Sequence, residues 1–311
     1  MTRRSILLPA ALLIAWLSAM VVPAIGQSRA ITADPEPDKA NPAAMQTFQL
    51  PSHGALLNAF LYVAAGMGPH PTVILLHGFP GNERNLDVAQ SIRRAGWNVM
   101  YFNYRGSWGS PGDFSFTHCI EDTQSAIAYL RDVSKAAKLR SDPNTIVLIG
   151  HSMGGFVALQ TGALDPDIKA IVTISAADLG TSRIPAVPVD KRDLFAKGLA
   201  AGLAAEGMAP LAGVTPELLA SEVLANAAKW NFVERAPKFS SRPVLVITSD
   251  DGLTPPNDAF VDAVKKSGNR AVSAVHIPTD HSYSDHRIAL QQTVLDGLAR
   301  FRHNDAPVQR P

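Results

Sequence analysis

The feature that most constrains the fold is an alternation of short apolar runs with stretches of helical spacing. Continuous apolar runs are typical of strands that are buried on both faces of a sheet. The runs lie at 72–78, 98–106, 145–150, 168–175, 242–249 and 271–278, and the helical stretches at 82–96, 119–134, 154–164, 256–268 and 287–304. The alternation predicts an α/β fold with a mostly parallel, doubly wound sheet.

The alternation stops between residues 178 and 240, where no strand-like run occurs. Two helical stretches in this segment predict a helical insertion that covers the carboxyl edge of the sheet as a lid. An ordinary connection of this length is disfavoured, because loops beyond about 12–15 residues without secondary structure are uncommon. The predicted core therefore comprises 46–177 and 241–304, and begins with a hairpin that turns at Ser52-His53-Gly54.

The N-terminal segment predicts an export signal over residues 1–26. Two arginines precede an uncharged run from Ile6 to Val22, and small residues follow at Ala24 and Gly26. The predicted location is the periplasm or the exterior. An uncleaved membrane anchor is the alternative, since the run approaches the length that spans a bilayer. Residues 27–45 are polar and proline-rich, which predicts a flexible linker.

Composition excludes several kinds of partner. A formal net charge of +1 gives no basis for binding nucleic acid. The single cysteine, Cys119, excludes an intramolecular disulfide bond. No Cys/His cluster has metal-ligand spacing, so we expect neither a metal nor a cofactor.

Ser152 lies in Gly150-His151-Ser152-Met153-Gly154, a G-x-S-x-G pattern between a predicted buried strand and a helix. A sharp turn from strand to helix holds such a serine in a strained conformation with its hydroxyl exposed. Glycines on both sides allow neighbouring elements to approach without a clash at Cβ. The pattern therefore predicts a nucleophile.

A serine nucleophile needs a base, and the base needs a carboxylate that orients it. In a fold of this kind the order along the chain is serine, acid, histidine. Asp250 and Asp251 follow one predicted strand, and His281 and His286 follow the last one. Both pairs are downstream of Ser152 in the required order.

These residues make the chain resemble the α/β-hydrolases over residues 46–303, including relatives of the serine aminopeptidase and prolyl-oligopeptidase type. The acid of that family commonly lies four residues before a proline, which Asp251 does with Pro255 and Asp250 does not. Asp250 stays open as an alternative, one residue away. The resemblance implies His281 as the base, because this histidine lies in the loop after the last strand, and gives His286 a local hydrogen-bonding role.

The resemblance also implies an oxyanion hole formed by the backbone N–H groups of Phe79 and Met153. Phe79 belongs to His77-Gly78-Phe79-Pro80-Gly81, in which His77 supports the loop. Aromatic residues near the mouth and in the insertion are expected to line the substrate pocket; they are Trp108, Phe195 and Trp230.

The predicted function is ester hydrolysis through an acyl-enzyme, on a small-molecule ester. A serine peptidase acting on short peptides is one alternative, and acidic residues of the insertion that could bind a peptide amine are Glu206, Glu217, Glu222 and Glu234. A binding protein that uses the same fold without catalysis is another alternative, since fold does not fix function.

Overall fold

A computed structural model of the chain describes residues 28–180 and 187–304, and eight strands of this part form one sheet. The strands are β1 (Ala44–Ser52), β2 (Ala55–Val63), β3 (His70–Leu76), β4 (Asn98–Phe102), β5 (Ser141–His151), β6 (Ala170–Ile174), β7 (Val244–Thr248) and β8 (Val272–His276). Their order across the sheet is β1-β2-β4-β3-β5-β6-β7-β8. The pairs β1–β2 and β2–β4 are antiparallel and the others are parallel, which confirms the predicted fold class.

Helices cover both faces of this sheet. They are α1 (Arg29–Thr32), α2 (Leu86–Arg94), α3 (Phe116–Arg131), α4 (Val133–Lys138), α5 (Met153–Leu164), α6 (Arg192–Ala205), α7 (Pro216–Trp230), α8 (Phe232–Arg235), α9 (Thr254–Lys266) and α10 (Arg287–Asn304), with short 3-10 helices at Val189–Lys191 and Ala236–Phe239. Side chains of α3, α5 and α9 pack in the core on one face, and those of α2 and α10 pack on the other.

The central strands are apolar because both of their faces are buried. In β3, Ile74 and Leu76 join the core beneath α5, whereas Val73 and Leu75 face α2 and α10. Successive side chains of a strand point to opposite faces, so a strand between two helical layers has no exposed side to place polar residues on. This burial explains the continuous apolar runs of the sequence.

The described part of segment 27–45, predicted as a flexible linker, contains the short helix α1 and the first residues of β1. Helix α1 packs against α2 and α10, the Ser28 N–H donates a hydrogen bond to Gln292 Oε1 at 2.8 Å, and β1 already begins at Ala44. Residues Ala30 and Ile31 pack against the apolar core of that face, which gives this short segment something to bury. The predicted signal, 1–26, lies outside the described residues.

Within residues 28–180 and 187–304, no helix is both long and apolar enough to cross a membrane.

The segment between β6 and β7 contains helices α6, α7 and α8, and residues 181–186 of it lie outside the described ranges. Ser107 and Leu211 form an isolated antiparallel bridge, and the Ala212 N–H donates to the Gly106 carbonyl at 2.8 Å. The Glu222 carboxylate accepts hydrogen bonds from the backbone N–H groups of Phe116 and Thr117, at 2.9 and 2.8 Å. These contacts attach the helical segment to the core at the loop before α3 and at the start of α3.

Some helix boundaries differ from the predicted ones because of local capping. Ser115 accepts a hydrogen bond from the His118 N–H at 3.0 Å, so α3 begins at Phe116 rather than at residue 119. Helix α2 begins at Leu86 rather than at residue 82, because Asn85 has a φ of 54° and interrupts the helical conformation.

Candidate active site

Ser152 occupies the single residue between the end of β5 and the start of α5. Its backbone has a φ of 57° and a ψ of −120°, a combination that is unfavourable for any residue with a side chain. Three neighbouring groups hold it there: the Ser152 N–H donates to the Ile174 carbonyl at 2.9 Å, and its carbonyl accepts from Gly155 and Ala177 at 2.9 and 3.1 Å. The sharp turn predicted from the sequence is therefore present.

Glycines make this turn sterically possible. A Cβ atom on Gly154 would lie 2.1 Å from the Leu76 carbonyl oxygen, and one on Gly150 would lie 2.0 Å from the Gly154 carbonyl oxygen. Gly78 brings the loop after β3 against the serine, since a Cβ atom there would lie 3.0 Å from Ser152 Cβ and 3.6 Å from its Oγ. Close backbone approach thus places the Phe79 loop beside the Ser152 hydroxyl.

Asp251 and His281 form a hydrogen-bonded pair in the loops that follow β7 and β8. His281 Nδ1–H donates to Asp251 Oδ2 at 2.7 Å, and the Leu253 N–H donates to Oδ1 at 2.9 Å. The Asp251 side chain is only 4% exposed, whereas that of His281 is 40% exposed. With Nδ1 donating, the neutral ring carries its lone pair on Nε2, the nitrogen that can accept a proton.

The pKa of Asp251 lies well below its usual value. Burial acts to raise this pKa, but hydrogen bonds from His281, Ser175, the Leu253 N–H and Ser249 to the carboxylate outweigh burial and lower it. The carboxylate is therefore ionised at neutral pH and can stabilise a positive charge on His281.

Asp250 and His286, the alternative acid and base, form hydrogen bonds with other partners. The Asp250 side chain is 65% exposed and accepts a hydrogen bond from His276 Nε2 at 3.0 Å. His286 Nδ1 donates to the adjacent carboxylate of Asp285 at 2.8 Å. The structure thus brings together Asp251 and His281, and neither Asp250 nor His286.

A cleft of about 490 Å³ lies at the carboxyl edge of the sheet. Its lining comprises Phe79, Phe116, Ser152, Met153, Ala177, Leu179, Leu203, Glu206, Asp251, Leu253 and His281. A smaller pocket of about 140 Å³ adjoins it and shares Phe79, Ser152, Glu206 and His281. The serine and the histidine therefore border both spaces.

The three aromatic residues expected in the pocket are not among the described residues that line this cleft. Trp108 Nε1 donates to the Pro80 carbonyl at 2.8 Å, and its ring packs under the Arg84 guanidinium. Trp230 is buried edge-on against Phe116 and Phe156, and Phe195 is half-buried on α6. Trp230 thus belongs to the core and Trp108 to a loop contact, and Phe79 and Phe116 with aliphatic side chains form the apolar wall instead.

Two buried histidines border the site and are neutral. His151 Nε2–H donates to the His281 carbonyl at 2.8 Å, and His77 Nδ1–H donates to the Gly78 carbonyl at 2.8 Å. Burial lowers the pKa of each imidazole to about 4. His77 thus stabilises its own loop, and His151 links the serine turn to the loop that carries His281, a link not anticipated from the sequence.

A buried network of hydroxyl groups lies beside Asp251, and the sequence analysis does not predict it. The hydroxyls of Ser175 and Ser249 are 3.0 Å apart, and Ser175 lies 3.0 Å from the hydroxyl of Tyr283. Ser175 and Ser249 each directly follow a strand, so the rule that ligands bind at strand ends could have identified them. Nothing in the sequence pattern indicates Tyr283.

The four acidic residues considered as amine ligands have separate surroundings. Glu206 lines both pockets, Glu222 caps α3, and Glu217 and Glu234 lie in the first turns of α7 and α8. Among residues 28–180 and 187–304, no group of three or more His, Cys, Asp or Glu side chains could hold a metal ion, and Cys119 is buried.

Sequence relatives share only part of this chain. The quorum-quenching protein AidA of Acinetobacter baumannii is 30% identical over 138 residues, which are 42% of this chain and 44% of that protein. The sn-1-specific diacylglycerol lipase ABHD11 of Mus musculus is 27% identical over 117 residues, 36% of this chain and 34% of that enzyme. The chain thus spans less than half the length of either relative.

Solved structures share the fold. Est1E from Butyrivibrio proteoclasticus with ferulic acid bound has a TM-score of 0.60 at 22% identity, over 82% of this chain and 99% of its own. A hyperthermophilic esterase from the archaeon Pyrobaculum calidifontis has a TM-score of 0.60 at 21% identity, over 85% and 86%. A family model described as the alpha/beta hydrolase family matches residues 73–298. With the sheet order and the strand-end site described above, this match shows that the chain belongs to the alpha/beta hydrolase family.

Proposed function

We propose that the protein is a serine hydrolase that cleaves small-molecule carboxylic esters through an acyl-enzyme. The observation that carries this proposal is one cleft bordered by a strained serine, Ser152, and by His281, which is hydrogen-bonded to the buried carboxylate of Asp251. Esterases among the structural neighbours agree with ester substrates.

In the proposed reaction, His281 Nε2 takes the proton of the Ser152 hydroxyl as its oxygen attacks the ester carbonyl carbon. Asp251 holds the ring with Nδ1–H and stabilises the positive imidazolium. The tetrahedral intermediate collapses, the C–O bond to the alcohol breaks, and His281 returns its proton to the leaving alkoxide. Water then attacks the acyl-enzyme with His281 as base, which releases the acid and restores Ser152.

The oxyanion of each intermediate is proposed to accept hydrogen bonds from the backbone N–H groups of Phe79 and Met153. Both residues line the cleft beside Ser152, and Met153 is the first residue of α5, where the helix terminus favours negative charge. Loss of one such donor typically costs about 3–4 kcal/mol in the transition state. We further propose that the segment between β6 and β7 acts as the lid of this cleft, since Leu203 and Glu206 contribute to the lining.

The test is labelling by a fluorophosphonate probe together with hydrolysis of p-nitrophenyl esters of graded acyl length and of amino-acid p-nitroanilides. Ser152→Ala is expected to lose both labelling and turnover, because the nucleophilic oxygen is gone. Circular dichroism and thermal unfolding would establish that the variant is folded.

Preference for esters over anilides supports the proposal. Preference for anilides would instead favour the peptidase alternative. A folded wild-type protein that neither labels nor hydrolyses any substrate would contradict catalysis and favour a binding protein with this fold.

A further inference from the structure

Glu206 has an unusual position for a charged residue of the helical segment. The residue lies at the C-terminal end of α6 and borders both the large cleft and the small pocket beside Ser152 and His281. Apart from Ser152, Asp251, His281 and Glu206 itself, the residues that line the large cleft are apolar. Glu206 is therefore the polar group that a substrate meets outside the proposed catalytic residues.

Glu206 is an exposed residue, and its carboxylate has no cationic partner among the described residues. None of the hydrogen bonds or ion pairs found within 28–180 and 187–304 involves its carboxylate. The last turn of α6 contains no basic residue, and a helix C-terminus itself carries partial negative charge. An acidic side chain in this place is disfavoured by the helix, so helix stability does not explain it.

The small pocket adds further features that suit a cation. Glu83 also lines this pocket, and its carboxylate accepts a hydrogen bond from the Asn85 N–H at 2.5 Å. Phe79 borders the same space, and aromatic side chains attract ammonium groups. Glu83 lies 3.9 Å from the Arg287 guanidinium, so its charge is partly balanced, and Glu206 is the described carboxylate at this space of about 140 Å³ that has no such partner.

The backbone around Glu206 is anchored. Gly207, with a φ of 82°, ends α6. Beyond it, the Trp108 N–H donates to the Pro210 carbonyl at 3.0 Å, and the Ala212 N–H donates to the Gly106 carbonyl at 2.8 Å. These bonds attach the residues after Glu206 to the core, so the backbone that carries Glu206 lies beside the cleft before a substrate binds.

We infer that Glu206 makes this hydrolase select esters that carry a positively charged group near the scissile bond. The inference rests on the proposed function and names its substrate class. An ammonium group on the alcohol or acyl side of the ester would lie in the small pocket, between Glu206 and Phe79, while the other side occupies the apolar cleft.

The experiment compares kcat/KM for esters that differ only in charge. One pair is acetylcholine and its carbon isostere, in which tert-butyl replaces trimethylammonium. The other pair is the p-nitrophenyl ester of trimethylammoniobutyrate and its tert-butyl isostere. Each pair is measured with wild type, Glu206→Gln and Glu234→Gln, the last being a matched change elsewhere in the helical segment.

In wild type, the charged ester of at least one pair is expected to be favoured by about tenfold, and this ratio should fall as ionic strength rises. Glu206→Gln should bring the ratio close to one, whereas Glu234→Gln should keep the wild-type ratio. Should Glu206→Gln fail to fold, inhibition of wild type by choline and by its tert-butyl isostere gives the same comparison.

Equal rates for both members of both pairs would overturn the inference while the proposed ester hydrolysis stands. A ratio that survives in Glu206→Gln would also overturn it, because another group would then select the charge. If Ser152 is labelled by the fluorophosphonate but no ester of either charge is hydrolysed, the ester proposal fails and the inference fails with it.

Discussion

Asp250 and Asp251 are neighbours in the chain and each is hydrogen-bonded to a histidine, yet only the Asp251 carboxylate is buried. Asp251 is nearly buried and receives hydrogen bonds from His281 and the Leu253 N–H. Asp250 is mostly exposed, and its partner is the exposed His276. A buried and fully bonded carboxylate can fix the orientation of an imidazole, whereas an exposed ion pair contributes little.

Asp251→Asn is expected to reduce kcat by about 10⁴-fold with little change in KM, because the amide no longer fixes the tautomer or stabilises the imidazolium. Asp250→Asn is the matched control and should change kcat by less than about twofold. Steady-state hydrolysis of a p-nitrophenyl ester measures both. A larger loss in Asp250→Asn than in Asp251→Asn would reverse the choice of acid.

Ser152, Asp251 and His281 are predicted from the sequence because each follows a strand, and the family resemblance favours Asp251 over Asp250 and His281 over His286. The sequence does not reveal the bond from His151 to the His281 carbonyl, which joins residues 130 apart in the chain, or the contact of Ser175 with Tyr283, which joins residues 108 apart. Such contacts depend on how distant loops pack. The prediction that Trp230 lines the pocket is wrong, because Trp230 is buried in the core. The sequence does not distinguish these two places, since a large apolar ring can pack in either.

At the scale of elements, α5 lies unusually close to the end of β3. The approach depends on Gly154, where any Cβ atom would collide with the Leu76 carbonyl oxygen at 2.1 Å. Gly202, in α6, has nothing within 4 Å of the corresponding position. Gly154 is therefore required by close packing, whereas Gly202 is not, and the sequence alone does not distinguish the two.

Gly154→Ala is expected to lower the free energy of unfolding by about 1–3 kcal/mol or more and to impair the turn that holds Ser152. Gly202→Ala should raise it by about 0.5–1 kcal/mol, since alanine is the better helix former. Urea unfolding followed by circular dichroism measures both. Equal effects of the two substitutions would contradict the close approach of α5 to β3.

The alternation of strands and helices could be predicted from the sequence, because parallel strands that are buried on both faces consist of continuous apolar runs. Helix α1 could not be predicted in this way, because its four residues are too few to show a periodic pattern. The predicted start of α2 is also wrong, because Asn85 has a positive φ, and its side chain accepts a hydrogen bond from Arg287, 202 residues away in the chain. Local patterns thus identify long elements and miss short ones that neighbours stabilise.

At the scale of the whole molecule, buried ionisable groups predict how stability depends on pH. Burial lowers the pKa of His77 and of His151 from 6.5 to about 4, so the unfolded chain binds more protons than the folded one between these values. Burial raises the pKa of Asp178 from 3.8 to about 6, which acts in the opposite direction. Near pH 5 the two histidines outweigh the aspartate by about one proton.

The free energy of unfolding is therefore expected to fall by about 1.4 kcal/mol per pH unit as the pH drops through about 5. Asp178→Asn should make this dependence steeper, and His151→Gln should make it shallower. Urea unfolding curves recorded between about pH 4.5 and pH 7 give the slopes. Stability that rises on acidification through this range would contradict the assignment of neutral buried histidines.

The three proposed catalytic side chains follow β5, β7 and β8, which are made in that order during synthesis. A nascent chain that ends before β7 can contain the Ser152 turn, but it has neither Asp251 nor His281. The serine then has no base, and the chain is chemically inert until the last strand and its loop have joined the sheet. Recovery of activity during refolding would therefore report completion of the C-terminal part of the sheet, later than signals from helix formation.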